Sequence, residues 1–168
     1  MSKSLLMLCA AGMLFVASPA ISAPRDAGSK IRGDAYQFDS GSTYTGHAYD
    51  HARVLSDYSA GGQPVPKAVV KEHADAIRHN VTASKKAIAG LSEDAKKEAA
   101  KSLAIIDKAH AKALEACNML DECCAKGDGD STVVMKCCAT ATDELKAAQA
   151  EQEKLAKQLK LEKAPVKK

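Results

Sequence analysis

The chain has 168 residues, enough for one domain, and its 27% charged and 46% hydrophobic residues are typical of a globular protein. Its 24 basic and 21 acidic residues give a net charge of +3, too small and too evenly mixed to indicate binding to nucleic acid or an anionic membrane. Aromatic residues are only 4% and none follows Tyr58, so alanine and aliphatic residues must form the core. This composition favours packed helices over β-sheet.

The first 23 residues have the features of a signal peptide. Lys3 supplies a positive start, residues 5–17 are apolar, and small residues predict cleavage after Ala23, with Ala20 as the alternative site. The apolar run is too short for a membrane anchor, and we expect no membrane span in the mature chain. The sequence therefore predicts an exported protein, in the periplasm or outside the cell.

The mature chain begins with polar residues and scattered glycines that show no apolar period, so residues 24–43 are predicted to be a flexible linker. From Tyr44 the pattern becomes helical, and the bundle is predicted to extend over residues 44–163. Within it, turn and capping residues separate four helical segments, over about 44–60, 66–89, 92–126 and 131–161. Residues 164–168 are predicted to be a disordered tail.

The second, third and fourth segments carry core positions that alternate in spacing between four and three, the heptad pattern of packed helices. These positions are Val70, Ala74, Ile77, Val81, Ser84, Ile88 and Leu91; Ala99, Leu103, Ile106, His110, Ala113, Cys117, Leu120 and Cys124; and Val134, Cys138, Ala141, Leu145, Ala148, Gln152, Leu155 and Leu159. The core positions predicted for the first segment are His47, His51, Val54 and Tyr58. Short connections imply antiparallel neighbours. The predicted fold is all-α, an antiparallel up-down-up-down four-helix bundle with a short first helix. The alternative is a three-helix core with the first helix as a loosely docked arm.

Three of the predicted helices carry a histidine at nearly the same height. His51 and His73 both lie 11 residues from a first turn centred near position 62. With a second turn centred near position 91, His73 and His110 lie 18 and 19 residues from it. At about 1.5 Å of rise per residue, the three histidines fall within about one helical turn. His47 lies one turn before His51 on the same helical face.

Histidines that converge from facing helices are typical of metal sites in bundle cores, and neutral imidazole suits Zn or Cu. We therefore predict a transition-metal site with His51, His73 and His110 as primary ligands and His47 in support. A carboxylate or a water would complete the coordination shell. The alternative is that the histidines form a polar layer or lie at the surface, where His79 is predicted to lie.

Removal of the signal peptide leaves five cysteines around the third turn: Cys117, Cys123, Cys124, Cys137 and Cys138. Thiols of exported proteins tend to pair, so two disulfides across this hairpin are the favoured interpretation. Around a turn centred near Asp128, Cys117 faces Cys138, and Cys123 or Cys124 faces Cys137. The alternative is a thiolate cluster for Cu(I) or Zn(II). The fifth cysteine remains as a free thiol, a metal ligand or a bridge in a homodimer.

With His51, the Glu72–His73 pair, His110 and Cys117, the mature region resembles small exported bacterial proteins of unknown function. These are helical bundles with single histidines or cysteines at matching helical positions. The resemblance covers about residues 45–161 and implies no activity. The chain is similar, more loosely, to four-helix-bundle copper-binding proteins, which line a helical core with cysteines. Here cysteine doublets lie at one hairpin end instead, which argues against high-capacity copper storage.

The sequence contains no nucleotide-binding loop, nucleophile elbow or paired-carboxylate motif, so we predict that the protein is not an enzyme. The leading hypothesis is an exported helical bundle that binds Zn or Cu through its histidine layer. The alternative is a disulfide-stapled structural or protein-interaction module of the cell envelope that binds no metal. The sequence does not identify a protein partner for either.

Overall fold

The computed structural model describes residues 27–161, with side chains from Arg32 onward. Its helices are, in chain order, α1 (Ala27–Ser59), α2 (Lys67–Ala89), α3 (Glu93–Cys123) and α4 (Ser131–Gln158). Over these residues the chain is all-α, and each helix contacts the next around the ring, with α1 also against α4. The predicted four-helix bundle is confirmed. The predicted signal peptide and tail lie outside the described residues.

The heptad positions predicted for α2, α3 and α4 are the ones that the bundle buries, with Ile88, Leu103 and Leu159 only half-buried. The face predicted for α1 is wrong, because His47, Val54 and Tyr58 are exposed and the bundle buries the neighbouring face instead, with Ala48, Ala52 and Leu55. Buried apolar residues form two clusters along the bundle. The larger contains Leu55, Ile77 and Leu120 and lies toward the α1–α2 and α3–α4 turns. The smaller contains Phe38 and Leu155 and lies toward the α2–α3 turn. None of the helices over residues 27–161 combines the length and hydropathy that a membrane span requires.

Helix α1 differs from the prediction, because it is the longest of the four and begins at Ala27, where a linker to residue 43 was expected. It packs against both α2 and α4, so it is a full member of the bundle rather than a docked arm. Its early buried positions are Asp34, Phe38, Gly41 and Thr45, which have helical spacing. Only Phe38 is a large apolar residue, so these positions leave almost no hydrophobic period in the sequence.

The α1–α2 and α3–α4 turns are joined by main-chain hydrogen bonds, and we call this end of the bundle the closed end. The Val65 amide donates to the Gly129 carbonyl and the Gly129 amide donates to the Val65 carbonyl, both at 2.8 Å. Beside them, the Asp128 carboxylate accepts from the Lys67 amide at 3.0 Å, at the start of α2. The two hairpins are therefore fixed to each other at this end by four residues of turn backbone and side chain.

Gly129 is packed so closely at the closed end that a side chain there must displace its neighbours. A Cβ atom would meet Val134 Cγ2 at 2.8 Å and Cys124 Sγ at 2.9 Å, and both neighbours are themselves buried. We expect Gly129→Ala to lower the free energy of unfolding by about 1–3 kcal/mol in a denaturant titration. Gly33→Ala in α1 is the matched control: a Cβ atom there would meet no other part of the described chain within 4 Å, so this substitution should stabilise by about 0.5–1 kcal/mol. Equal stability of Gly129→Ala and the parent would contradict this packing.

Candidate functional site

The structure brings together two of the four histidines that were predicted as metal ligands. His51 of α1 and His73 of α2 are both half-buried, and their Nδ1 atoms are 3.2 Å apart. We call them the histidine pair. His110 lies elsewhere in the core, and His47 is exposed, with its ring edge-on to Tyr44 at 6.5 Å between centroids. Over residues 27–161, no group of three His, Cys, Asp or Glu side chains is arranged to hold a metal ion.

His110 is far from the histidine pair because α3 is displaced along α2. Ion pairs join Lys85 to Asp107 and Arg78 to Asp121, and they show which residues of α2 and α3 lie at equal height. The residue numbers of such a pair average about 98, whereas the prediction used a centre at position 91. The height of His73 then corresponds to about position 123 on α3, roughly 20 Å beyond His110. The predicted single layer of three histidines is therefore not formed.

The two imidazoles of the histidine pair face each other through their Nδ1 atoms. In the absence of a metal, one Nδ1–H donates to the lone pair of the other ring. Burial lowers the pKa of His73, the neighbouring His51 lowers it further, and Glu72 opposes both effects. His73 is therefore disposed to be neutral, which is the form in which imidazole binds metals.

His110 belongs to a buried group of four polar side chains, one from each helix, which we call the central polar layer. Its members, Thr45, Ser84, His110 and Gln152, are each 2% exposed or less. Thr45 Oγ1 is the common neighbour, at 2.9 Å from Ser84 Oγ, 3.2 Å from His110 Nε2 and 3.1 Å from Gln152 Nε2. It also lies 3.1 Å from the Gly41 carbonyl, to which it donates within α1.

The Thr45 hydroxyl cannot satisfy all of its neighbours. Its oxygen offers one hydrogen and two lone pairs, but four polar groups surround it. The outer atoms of the layer lack partners as well, because His110 Nδ1 and Gln152 Oε1 are buried without a hydrogen bond in the described part of the chain. An unpaired buried polar atom costs about 1–3 kcal/mol. The central polar layer is therefore a place where the fold gives up stability.

Burial also fixes the charge state of His110. It lowers the pKa of this imidazole from 6.5 to about 4, assisted by the charge of Lys85 and opposed by that of Asp107. The ring is therefore neutral at physiological pH. Of the four layer residues, the sequence had placed Ser84, His110 and Gln152 at heptad core positions. Polar residues at such positions are the signal from which the layer could have been inferred.

Two grooves flank the central polar layer at the end of the bundle opposite the closed end. The α1–α4 groove has a volume of about 660 Å³, and its wall includes Phe38 and Gln152. The α2–α3 groove has a volume of about 300 Å³, and its wall includes Ile106 and His110. A member of the layer with an unpaired polar atom thus lines each groove.

The five cysteines lie near the closed end, and all of them are free thiols. No two lie at disulfide distance in the described residues, so the staples predicted from Cys117 to Cys138 and from Cys123 or Cys124 to Cys137 are not formed. Two cysteines at equal height on neighbouring helices need not be able to bond, because a disulfide also requires a short Cβ–Cβ distance and side chains that point toward each other. Burial raises the pKa of Cys117 to about 11 and that of Cys138 to about 12, so these thiols stay neutral and pack as small apolar groups.

Comparison of the chain with protein-family models, with curated proteins and with solved structures finds no match. The resemblance to exported bundle proteins therefore stays a prediction. Because a four-helix bundle by itself does not imply a function, any function has to be argued from the histidine pair, the central polar layer and the grooves.

Proposed function

We propose that this chain is an exported, non-enzymatic bundle protein that binds Zn or Cu at the histidine pair. The supporting observation is the 3.2 Å separation of His51 Nδ1 and His73 Nδ1, which come from two different helices. Two imidazole nitrogens bound to one tetrahedral ion at about 2.0–2.1 Å lie roughly 3.3–3.4 Å apart. The distance between the two nitrogens therefore suits an ion almost unchanged, and rotation of the rings would turn both lone pairs toward it.

Binding through both Nδ1 atoms requires a lone pair on each of them. The ring that carries its hydrogen on Nδ1 would move it to Nε2, so a neutral pair exchanges its hydrogen bond for two metal bonds without losing a proton. Glu72 precedes His73 and places a negative charge beside the ion, since it raises the pKa of that histidine. The remaining coordination positions would be filled by water or small anions. Structural zinc takes four protein ligands, so an ion held by only two would exchange more readily than a structural one.

Metal titration of the histidine variants tests this proposal. We expect His51→Ala and His73→Ala each to weaken binding of Zn(II) and Cu(II) by about tenfold or more in equilibrium dialysis, because each removes one of two ligands. His79→Ala is the matched control, since His79 is exposed on the same helix as His73. His47→Ala and His110→Ala test the other two ligands predicted from the sequence, and both variants should bind the metals like the parent.

Equally weak binding by the parent, His51→Ala and His73→Ala would remove the histidine pair as a site. The metal-free structural or interaction module would then be the better hypothesis, although without the disulfides first expected of it. A selective loss in His110→Ala would instead favour the three-histidine layer over the pair.

A further inference from the structure

The α1–α4 groove has the size and the walls of a small-ligand site. Its volume of about 660 Å³ falls within the range of about 300–1,000 Å³ that is usual for such sites. Apolar side chains form much of its wall, and they come from both helices and from the end of α4: Ala35, Phe38, Ala156 and Leu161. An apolar body of several carbon atoms could therefore leave water by entering it.

Two polar atoms without a hydrogen-bond partner belong to residues that line this groove, Gln152 Oε1 and Ser42 Oγ. The orientation of the Gln152 amide follows from its neighbour. Because the Thr45 hydroxyl donates its hydrogen to the Gly41 carbonyl, its oxygen can only accept from Gln152. The Gln152 amide therefore turns its Nε2 toward Thr45, to which it donates at 3.1 Å. This leaves Oε1 as an acceptor on a side chain that is only 2% exposed. A ligand N–H or O–H group would satisfy it.

The charge of the groove favours a cation over an anion. This preference rests on Glu153, whose exposed carboxylate belongs to the wall, because Asp39, also in the wall, already interacts with another group. Neither lysine nor arginine is among the described residues that line the groove. A cleft lined by charges of one sign concentrates ions of the other. Tyr36, 70% exposed, also belongs to the wall and adds an aromatic face that a cation can approach.

We propose that the α1–α4 groove binds a small organic ammonium ion with an apolar body, such as an arylalkylamine. The ammonium group donates to Gln152 Oε1 and to the Ser42 hydroxyl oxygen, and Glu153 balances its charge. The hydrocarbon part lies on Phe38 and Ala156. This site is separate from the histidine pair, so the proposal does not depend on the metal-binding function.

Three probes of similar shape but different charge test whether the α1–α4 groove prefers a cation. Phenylbutylamine, phenylbutanol and phenylbutanoate share one apolar body and carry a cationic, a neutral and an anionic end. In calorimetric titrations at neutral pH and low salt, we expect the amine to bind about tenfold or more tightly than the carboxylate, with the alcohol between them. The same order in His73→Ala separates this site from the histidine pair. Equal affinity for amine and carboxylate, or no binding of the amine, overturns the proposal.

Two substitutions locate the probe. Ala156→Leu fills the groove from a half-buried position outside the central polar layer, and it should abolish amine binding while the thermal midpoint stays near that of the parent. Glu153→Lys should weaken amine binding about threefold to tenfold, since it reverses an exposed charge at the groove. Glu122→Lys makes the same change at an exposed site near the closed end and should have no effect. Undiminished amine binding by Ala156→Leu would place the probe outside the groove and refute the assignment.

Discussion

Replacing Thr45 by valine should lower the free energy of unfolding by about 3 kcal/mol, although the two side chains have nearly the same shape. The substitution removes a single hydroxyl, but that hydroxyl is the only described hydrogen-bond partner of Ser84, His110 and Gln152. All three side chains are 2% exposed or less, so water does not replace the lost contacts at the surface. Each unpaired group costs about 1–3 kcal/mol, and local relaxation returns part of the total.

Denaturant unfolding at neutral pH measures this effect, and Thr43→Val provides the control. Thr43 lies two residues earlier on α1 and is exposed, so its replacement should change stability by less than about 0.5 kcal/mol. A second comparison replaces the whole layer, by combining Thr45→Val with Ser84→Ala, His110→Leu and Gln152→Leu. This variant should recover part of the loss, because no polar atom of the layer is then left unpaired. Parent-like stability of Thr45→Val alone would show that Thr45 does not hold the layer together.

Acidification from pH 7 to pH 4 should cost the bundle about 3 kcal/mol through His110 alone. Burial lowers the pKa of this imidazole from 6.5 to about 4 in the folded state, so between these values the unfolded chain takes up a proton that the folded chain refuses. The contribution of His110 is fully present above about pH 6.5 and is lost as the pH falls toward 4. Lys85 adds to the lowering, and Asp107 opposes it.

The difference between the parent and His110→Gln isolates this contribution, since other groups titrate in both proteins. Glutamine keeps a polar side chain in the layer but does not ionise in this range. We expect the difference between the two free energies of unfolding to change most steeply with pH at about pH 5, between the folded and unfolded pKa values of His110, and to level off above about pH 7. Parallel curves over the whole range would mean that His110 takes up a proton as readily in the folded bundle as in the unfolded chain, so that its burial does not lower its pKa.

The fold could be predicted where core positions carry apolar residues. The heptad positions of α2, α3 and α4 are filled mostly by Ala, Val, Ile, Leu and Cys, and these helices were predicted close to their observed bounds. The first half of α1 could not be recognised, because Asp34, Gly41 and Thr45 occupy its core positions. Asp34 is buried to accept from the Ser92 amide and hydroxyl at the start of α3, both at 2.7 Å. A buried residue with that role gives no hydrophobic signal.

The site could be predicted only where one tight turn sets the register. His51 and His73 flank the short α1–α2 turn, so counting outward from its centre placed them together. His110 lies 19 residues from a turn whose centre does not coincide with the centre of the α2–α3 packing, and this offset depends on how α3 packs against the whole bundle. The central polar layer depends in addition on the rotation of four helices, which spacing within one helix does not determine.

The hydrogen bonds between Val65 and Gly129 make the closed end of the bundle more rigid than the opposite end. Main-chain hydrogen bonds join both hairpins there, whereas the opposite end is joined by the chain itself through residues 90–92 and by the Asp34 side chain, which accepts from Ser92. We therefore expect helices α1 and α4 to separate more readily near Leu161 than at the closed end. Solutes would then reach the interior through the α1–α4 groove, past Gln152, without disturbing the thiols near the closed end.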